Sequence, residues 1–151
     1  MNVIMFYKVG DNYGEFSNFS SHGFSLNGIY WRTVEHYFQA KKFLNLELQH
    51  KIRNMDSPMK AAIEGRKQEN PLRPDWEMIK DQVMYIAVKA KFTQHIELSN
   101  LLISTGNAYI VEHTQNDSYW ADGGDGSGKN MLGIILMKVR DELIKERRNL
   151  L

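Results

Sequence analysis

The chain changes character at Thr33, and no other feature constrains its fold as much. Before that point short β-type runs alternate with turns. Val3 to Val9 is β-branched and aromatic, and Phe24-Ser25-Leu26 and Ile29-Tyr30-Trp31 flank Asn27-Gly28, the dipeptide that best tolerates the two positive φ values of a type I′ turn. A strand and then a hairpin are expected. From Thr33 the pattern is helical. Thr33 serves as N-cap with Glu35 in the first turn, and Val34, Tyr37, Phe38, Ala40 and Phe43 supply apolar surface to about Leu44. A second helix is expected over Leu46 to Asn54. Ser57-Pro58 opens a third, with serine as cap and proline at the first helical position, and Gly65 closes it.

Asn70 to Pro74, with two prolines, reads as a loop, after which Asp75 caps a long helix in which Trp76, Ile79, Val83, Ile86 or Ala87, and Ala90 recur at three- and four-residue steps. A shorter helix over Ile96 to Ser104 stops at Gly106, and Tyr109-Ile110-Val111 reads as a further strand. Leu132 to Arg148 is amphipathic, with Leu132, Ile135, Leu136, Val139 and Leu143 as its inner stripe and Lys145, Arg147 and Arg148 as a solvated end matched to the helix dipole. The pattern predicts an α+β, helix-rich fold with a small, mainly antiparallel β-sheet. No repeat and no linker separates two cores, so residues 1–151 are read as one domain, a length that buries about 68–70% of its unfolded surface.

Charge and cysteine usage narrow the chemistry. Lys and Arg number 19 against 18 Asp and Glu, for a net charge of +1, which provides no long-range field to attract a polyanion. A small anionic ligand remains compatible. The absence of cysteine removes disulfides, thiol nucleophiles and thiolate metal sites. No stretch approaches 18 apolar residues, and Met1 to Val9 lacks a basic n-region and a small-residue cleavage site. A cytoplasmic protein without membrane attachment is expected.

Three constellations carry possible chemistry. Glu35, Gln39 and Lys42 fall at i, i+4 and i+7 of the predicted helix and share a face, where they form an acid/base and hydrogen-bonding wall, or else a favourable first-turn charge and a solvated lysine. The second is Gly65-Arg66 with Arg73 and Trp76: either arginine suits a phosphate, and Trp76 suits stacking on a heterocycle or anchoring a core. The third is the loop TQNDSYWADGGDGSGKN, Thr114 to Asn130, too long to be an idle connector as a rule. Its GGDGSGKN run approaches a P-loop, but Asn130 lacks the Mg²⁺-binding hydroxyl and Asp125 puts a negative charge in the phosphate cradle. EF-hand spacing is absent from it. The five histidines show no metal-ligand spacing. No metal and no cofactor are expected, and carboxylate-driven hydrolysis or pure ligand binding is what remains.

Read together, GEFSNF, TVEHYFQAKKF, SPMKAAIEGR, RPDWEMIK, AKFTQH and VEHTQNDSYWADGGDGSGKNMLGIILM resemble the YbiA-like N-glycosidase family, a branch of the NADAR domain superfamily, from about Ile4 to Arg140. The resemblance implies a hydrolase of N-glycosidic bonds, acting on a small phosphorylated ribosyl-pyrimidine from early riboflavin biosynthesis. Superfamily members that remove ADP-ribose from guanine in nucleic acid, and a non-catalytic ADP-ribose-binding module, are the alternatives. Mapped onto this chain, Glu35 and Asp117 become the carboxylate pair. Lys42 becomes an electrostatic partner or a Schiff-base amine. Asn18 contacts sugar or base and Trp76 stacks on the pyrimidine. Arg66 is the first choice for the 5′-phosphate and Arg73 the second, while Trp120, Asp122 and Asn130 shape the loop wall. Ala121 stands where that family has glycine, which matters if the position needs positive φ.

Overall fold

The computed structural model describes residues 2–151. In chain order the elements are β1 (Val3–Phe6), a 3₁₀ turn (Gly14–Phe16), β2 (Phe24–Leu26), β3 (Ile29–Trp31), α1 (Val34–Ala40), α2 (Leu46–Arg53), α3 (Pro58–Gly65), α4 (Trp76–Gln94), α5 (Ile96–Ser104), β4 (Tyr109–Glu112) and α6 (Met131–Leu150). The class is α+β. They group into two compact units, one comprising the stretch up to Ser17 with Phe92–Leu151, the other Asn18–Lys91.

In the Asn18–Lys91 unit the hairpin turn and the N-caps of α1 and α3 act as expected, whereas Gly65 ends α3 in helical backbone, with Arg66 as the C-cap. Asn27 and Gly28 take φ of 52° and 80° and close the antiparallel β2–β3 hairpin, in which Phe24 faces Trp31. The Thr33 side chain accepts from the His36 N–H to cap α1. The Ser57 side chain accepts from the Lys60 N–H to cap α3, with proline in its first turn. Every residue of α1 is buried, so a seven-residue helix forms the middle of this unit. Tyr37 packs edge-on against Trp31 at 5.1 Å between ring centroids and against Phe24 at 6.0 Å. The helix stops at Ala40, four residues short of the predicted end. Phe43 instead makes an antiparallel bridge with Leu72, and the Arg73 N–H donates to the Lys42 carbonyl at 2.9 Å, which pulls the chain out of helical register.

In the other unit β1 pairs with β4 in parallel, Val3 opposite Tyr109 and Phe6 opposite Glu112. The predicted sheet is thus two separate two-stranded ladders, one of them parallel. Antiparallel pairing follows from tight turns, but β1 and β4 lie far apart in sequence, and so long a connection allows either direction. β1 is shorter than predicted because a turn at Lys8 to Asp11, held by reciprocal bonds of 3.0 and 3.1 Å, ends it. The α6 stripe is buried as read, Leu132, Ile135, Leu136, Val139 and Leu143 included. Arg147 is less solvated than predicted: it donates to Ser99 Oγ at 3.2 Å and to Asn100 Oδ1 on α5. Among the described residues, no helix is long and apolar enough to cross a membrane.

Candidate active site

Glu35 lies in the first turn of α1 with 6% of its surface exposed. A carboxylate this buried needs hydrogen-bond donors. Gln39, one turn later and itself buried, donates from Nε2 to Glu35 Oε2 at 2.7 Å, the length of a bond to a charged acceptor. This pair is the i, i+4 relation read from the sequence. Lys42 joins by another route, because α1 ends before it. From the following turn Lys42 Nζ donates to the Gly65 carbonyl at 3.4 Å and lies 5.8 Å from the centre of the Phe38 ring. Burial holds the Lys42 amine below the ordinary lysine range; the negative charge of Glu35 opposes that shift and the positive charge of Arg66 adds to it.

The remaining predicted residues of this unit divide by exposure. The Asn18 carbonyl accepts from the Glu35 N–H at 3.1 Å, while its side chain has Oδ1 buried without a partner and Nδ2 against Met84 Sδ at 3.5 Å. Arg66 caps the end of α3 and is exposed. Arg73 is engaged, its guanidinium holding both oxygens of Asp75 at 2.6 and 3.1 Å. The charge of Arg73 also lowers the pKa of Lys41, whose burial is the larger cause. Lys41, Lys42, Arg66 and Arg73 thus make the end of α1 a cationic neighbourhood. Trp76 is 5% exposed and packs edge-on against Phe38, 5.1 Å between centroids, which is the core-anchor role weighed for it.

The loop of the other unit is built around two aspartates. Asp117 Oδ1 accepts from the N–H groups of Tyr119 and Trp120, both at 2.8 Å, a side-chain turn of the kind Asp forms locally. Tyr119 and Trp120 stack edge-on at 4.9 Å. The Asp122 carboxylate accepts from the N–H of Thr114 at 3.1 Å and of Gly124 at 2.8 Å, and its Oδ2 meets His113 Nδ1 at 2.7 Å. These bonds hold the Asp122 carboxyl below its usual range although burial works the other way. Asn130, in left-handed backbone at φ 54°, uses its side chain as a surrogate strand: Oδ1 accepts from the Glu112 N–H at 3.0 Å and Nδ2 donates to the Ile110 carbonyl at 2.9 Å. Gly123, Gly124 and Gly126 take φ of 73°, 86° and 87°. Ala121 is not among the positive-φ residues, and it is 0% exposed. The methyl is therefore compatible with the backbone and fills core space.

Two histidines that spacing did not single out are part of these networks. His36 Nε2 donates to the Met55 carbonyl at 2.9 Å, so Nδ1 accepts from the Thr33 hydroxyl at 2.8 Å. The local sequence carries no signal for either this bond or the His113–Asp122 contact. Among the described residues, no three His, Cys, Asp or Glu side chains are grouped so as to hold a metal ion.

A desolvated amine beside a buried, amide-clamped carboxylate on an α+β scaffold is an enzyme-type arrangement. The NADAR domain profile matches residues 5–144. N-glycosidase YbiA of Escherichia coli (strain K12) is 51% identical over 145 residues, covering 96% of this chain and 91% of that protein. N-glycosidase Npun_R5314 of Nostoc punctiforme is 43% identical over 152 residues, covering 99% and 95%. A chloroplastic riboflavin biosynthesis protein of Zea mays, PYRR, is 40% identical over 158 residues, 95% of this chain but 25% of the maize protein. The solved NMR structure of the Escherichia coli protein YbiA superposes with a TM-score of 0.90 over 97% of this chain and 87% of that one. The chain belongs to the NADAR domain family, among its N-glycosidases.

Proposed function

We propose that this protein hydrolyses the C–N glycosidic bond of a ribosylamino-pyrimidine 5′-phosphate, an early riboflavin-pathway intermediate, to ribose 5-phosphate and a free aminopyrimidine. The observation that carries the reading is the buried Glu35–Gln39 pair with Lys42 beside it. Cleavage of a ribosyl C–N bond develops positive charge at the anomeric carbon, and a fixed carboxylate in a low-dielectric setting stabilises that charge most. Glu35 takes this role. Asp117, whose Oδ1 is occupied by two backbone N–H groups, orients or deprotonates the water. Water then delivers its hydroxyl to the anomeric carbon and its proton to the departing amine. Lys42 either offsets the charge of Glu35 or traps the ring-opened sugar as an imine. Borohydride separates the two, since only the imine is reduced to a permanent adduct.

Support for a phosphorylated substrate comes from Lys41, Lys42 and Arg66 near the end of α1, with exposed Arg66 in first place for the phosphate and Arg73, already paired with Asp75, in second. Asn18 contacts sugar or base through its unpartnered Oδ1. The riboflavin assignment is supported by the name of the maize relative. The family match spans both compact units, in keeping with one domain over residues 1–151. A phosphorylated metabolite does not cross membranes unaided, so the reading includes a cytoplasmic setting. Purified protein given this substrate without added metal should release ribose 5-phosphate. Unchanged substrate, with ADP-ribose released instead from ADP-ribosylated guanine in DNA or RNA, would overturn the assignment.

A further inference from the structure

Gly65 is buried at the last position of α3, and its backbone is helical rather than left-handed, since it is absent from the positive-φ glycines. Conformational freedom is thus not what glycine supplies there, and on helix propensity alone alanine would be favoured. What it supplies is space. A Cβ at Gly65 would lie 2.1 Å from Gln39 Oε1 and 2.8 Å from both Gln39 Cβ and Cδ, inside any permitted contact distance. The Gly65 carbonyl also accepts from Lys42, so one residue meets both side chains grouped with Glu35.

The end of α3 has little room to retreat. The Asn70 side chain donates to the Glu64 carbonyl at 2.8 Å and to its carboxylate at 2.9 Å, and Lys51 and Lys67 hold the same carboxylate at 3.3 and 3.1 Å. The Arg66 N–H bonds back to Ala62 and Ile63. A side chain at 65 therefore displaces Gln39 rather than the helix. We infer that Gly65 is a positioning residue: its bare Cα is the seat that keeps the Gln39 amide on the Glu35 carboxylate. The inference rests on Glu35 as the reacting carboxylate for its effect on rate, but its geometric content does not.

The test is a double-mutant cycle of Gly65→Ala and Gln39→Ala, read by steady-state kinetics and by NMR of the Gln39 side-chain amide in ¹⁵N-glutamine-labelled protein. Gly65→Ala should lower kcat about 10- to 100-fold, the scale for misplacing a catalytic group by an ångström. KM should stay within about threefold, and the Gln39 amide resonance should move to the position of a solvated glutamine. In the Gln39→Ala background, Gly65→Ala should add less than about threefold, because the side chain it displaces is gone. An unmoved Gln39 resonance in the folded Gly65→Ala protein, or losses that multiply in the double variant, would overturn the inference. Should Gly65→Ala alone fail to fold, a folded double variant supports the steric link and an unfolded one refutes it. The NMR readout needs no substrate, so failure of the proposed hydrolysis would be seen separately.

Discussion

Gln39 donates to Glu35 at 2.7 Å while its other amide atom, Oε1, is buried without a partner. One bond is made and one acceptor is left over, an uneven arrangement inside a helix with no exposed residue. Replacing Gln39 by methionine removes both. The lost bond to a charged group costs about 1.5–3 kcal/mol, and removal of the orphan acceptor returns about 1–3. Because the substitution also takes this donor from the buried Glu35 carboxylate, Gln39→Met should melt below the parent and lose at least about tenfold in kcat, measured by calorimetry and initial rates.

The Lys42 amine should titrate below 10.5, the ordinary lysine value, because burial penalises its charged form. Nζ titration by ¹⁵N NMR checks this. In the Arg66→Gln variant a neighbouring positive charge is gone, so the titration should move back up.

Glu64 contributes acid sensitivity. Asn70, Lys67 and Lys51 hold its carboxyl down at about 2, against an ordinary 4.5. A carboxyl depressed on folding stabilises the protein above its unfolded pKa and loses that contribution as pH falls toward the folded value. Glu64→Gln should cost about 1–2 kcal/mol at pH 7, after allowance for solvent screening of its exposed lysines. The gap to the parent in urea melts should narrow between pH 4.5 and 2.

His36 acts in a different window. Its pKa is lowered from 6.5, chiefly by burial, with the Met55 carbonyl opposing and Arg32 adding to the shift. The unfolded chain then binds the proton first, so stability falls as pH drops below 6.5 toward the folded value. His36→Gln should flatten the pH dependence of stability just below 6.5 and leave the Glu64 region below 4.5 intact.

Ala121 is expected to be a good residue where it stands. Its backbone does not need positive φ and its methyl is fully buried. Ala121→Gly should destabilise by about 1 kcal/mol through lost burial and added freedom of the unfolded chain, with kcat unchanged within about twofold.

Local signals in this chain proved reliable where the physics is local. Thr33, Ser57-Pro58 and Asn27-Gly28 each fix their own few residues through caps or turn dihedrals, and the Glu35–Gln39 bond needs only one helical turn. Most of what failed to show was set by distant partners, the Arg73–Asp75 pair being the local exception. Phe43 leaves the helix for Leu72, β1 finds β4 across most of the chain, and Trp76 is a core residue because Phe38 is there to meet it. Asn130 looked like a loop-wall residue, yet its position beside β4 makes its amide a substitute for backbone pairing. Arg73 offered a guanidinium to a phosphate in sequence, and in the fold Asp75 two residues on accepts both of its bonds.

The most direct test of the central claim compares the wild-type protein and Glu35→Gln in single-turnover release of ribose 5-phosphate from a ribosylamino-pyrimidine 5′-phosphate. The wild type should release ribose 5-phosphate, and the folded variant should do so about 10²- to 10³-fold more slowly, the scale for losing one preorganised charge-stabilising group. Equal rates for the two would contradict the claim.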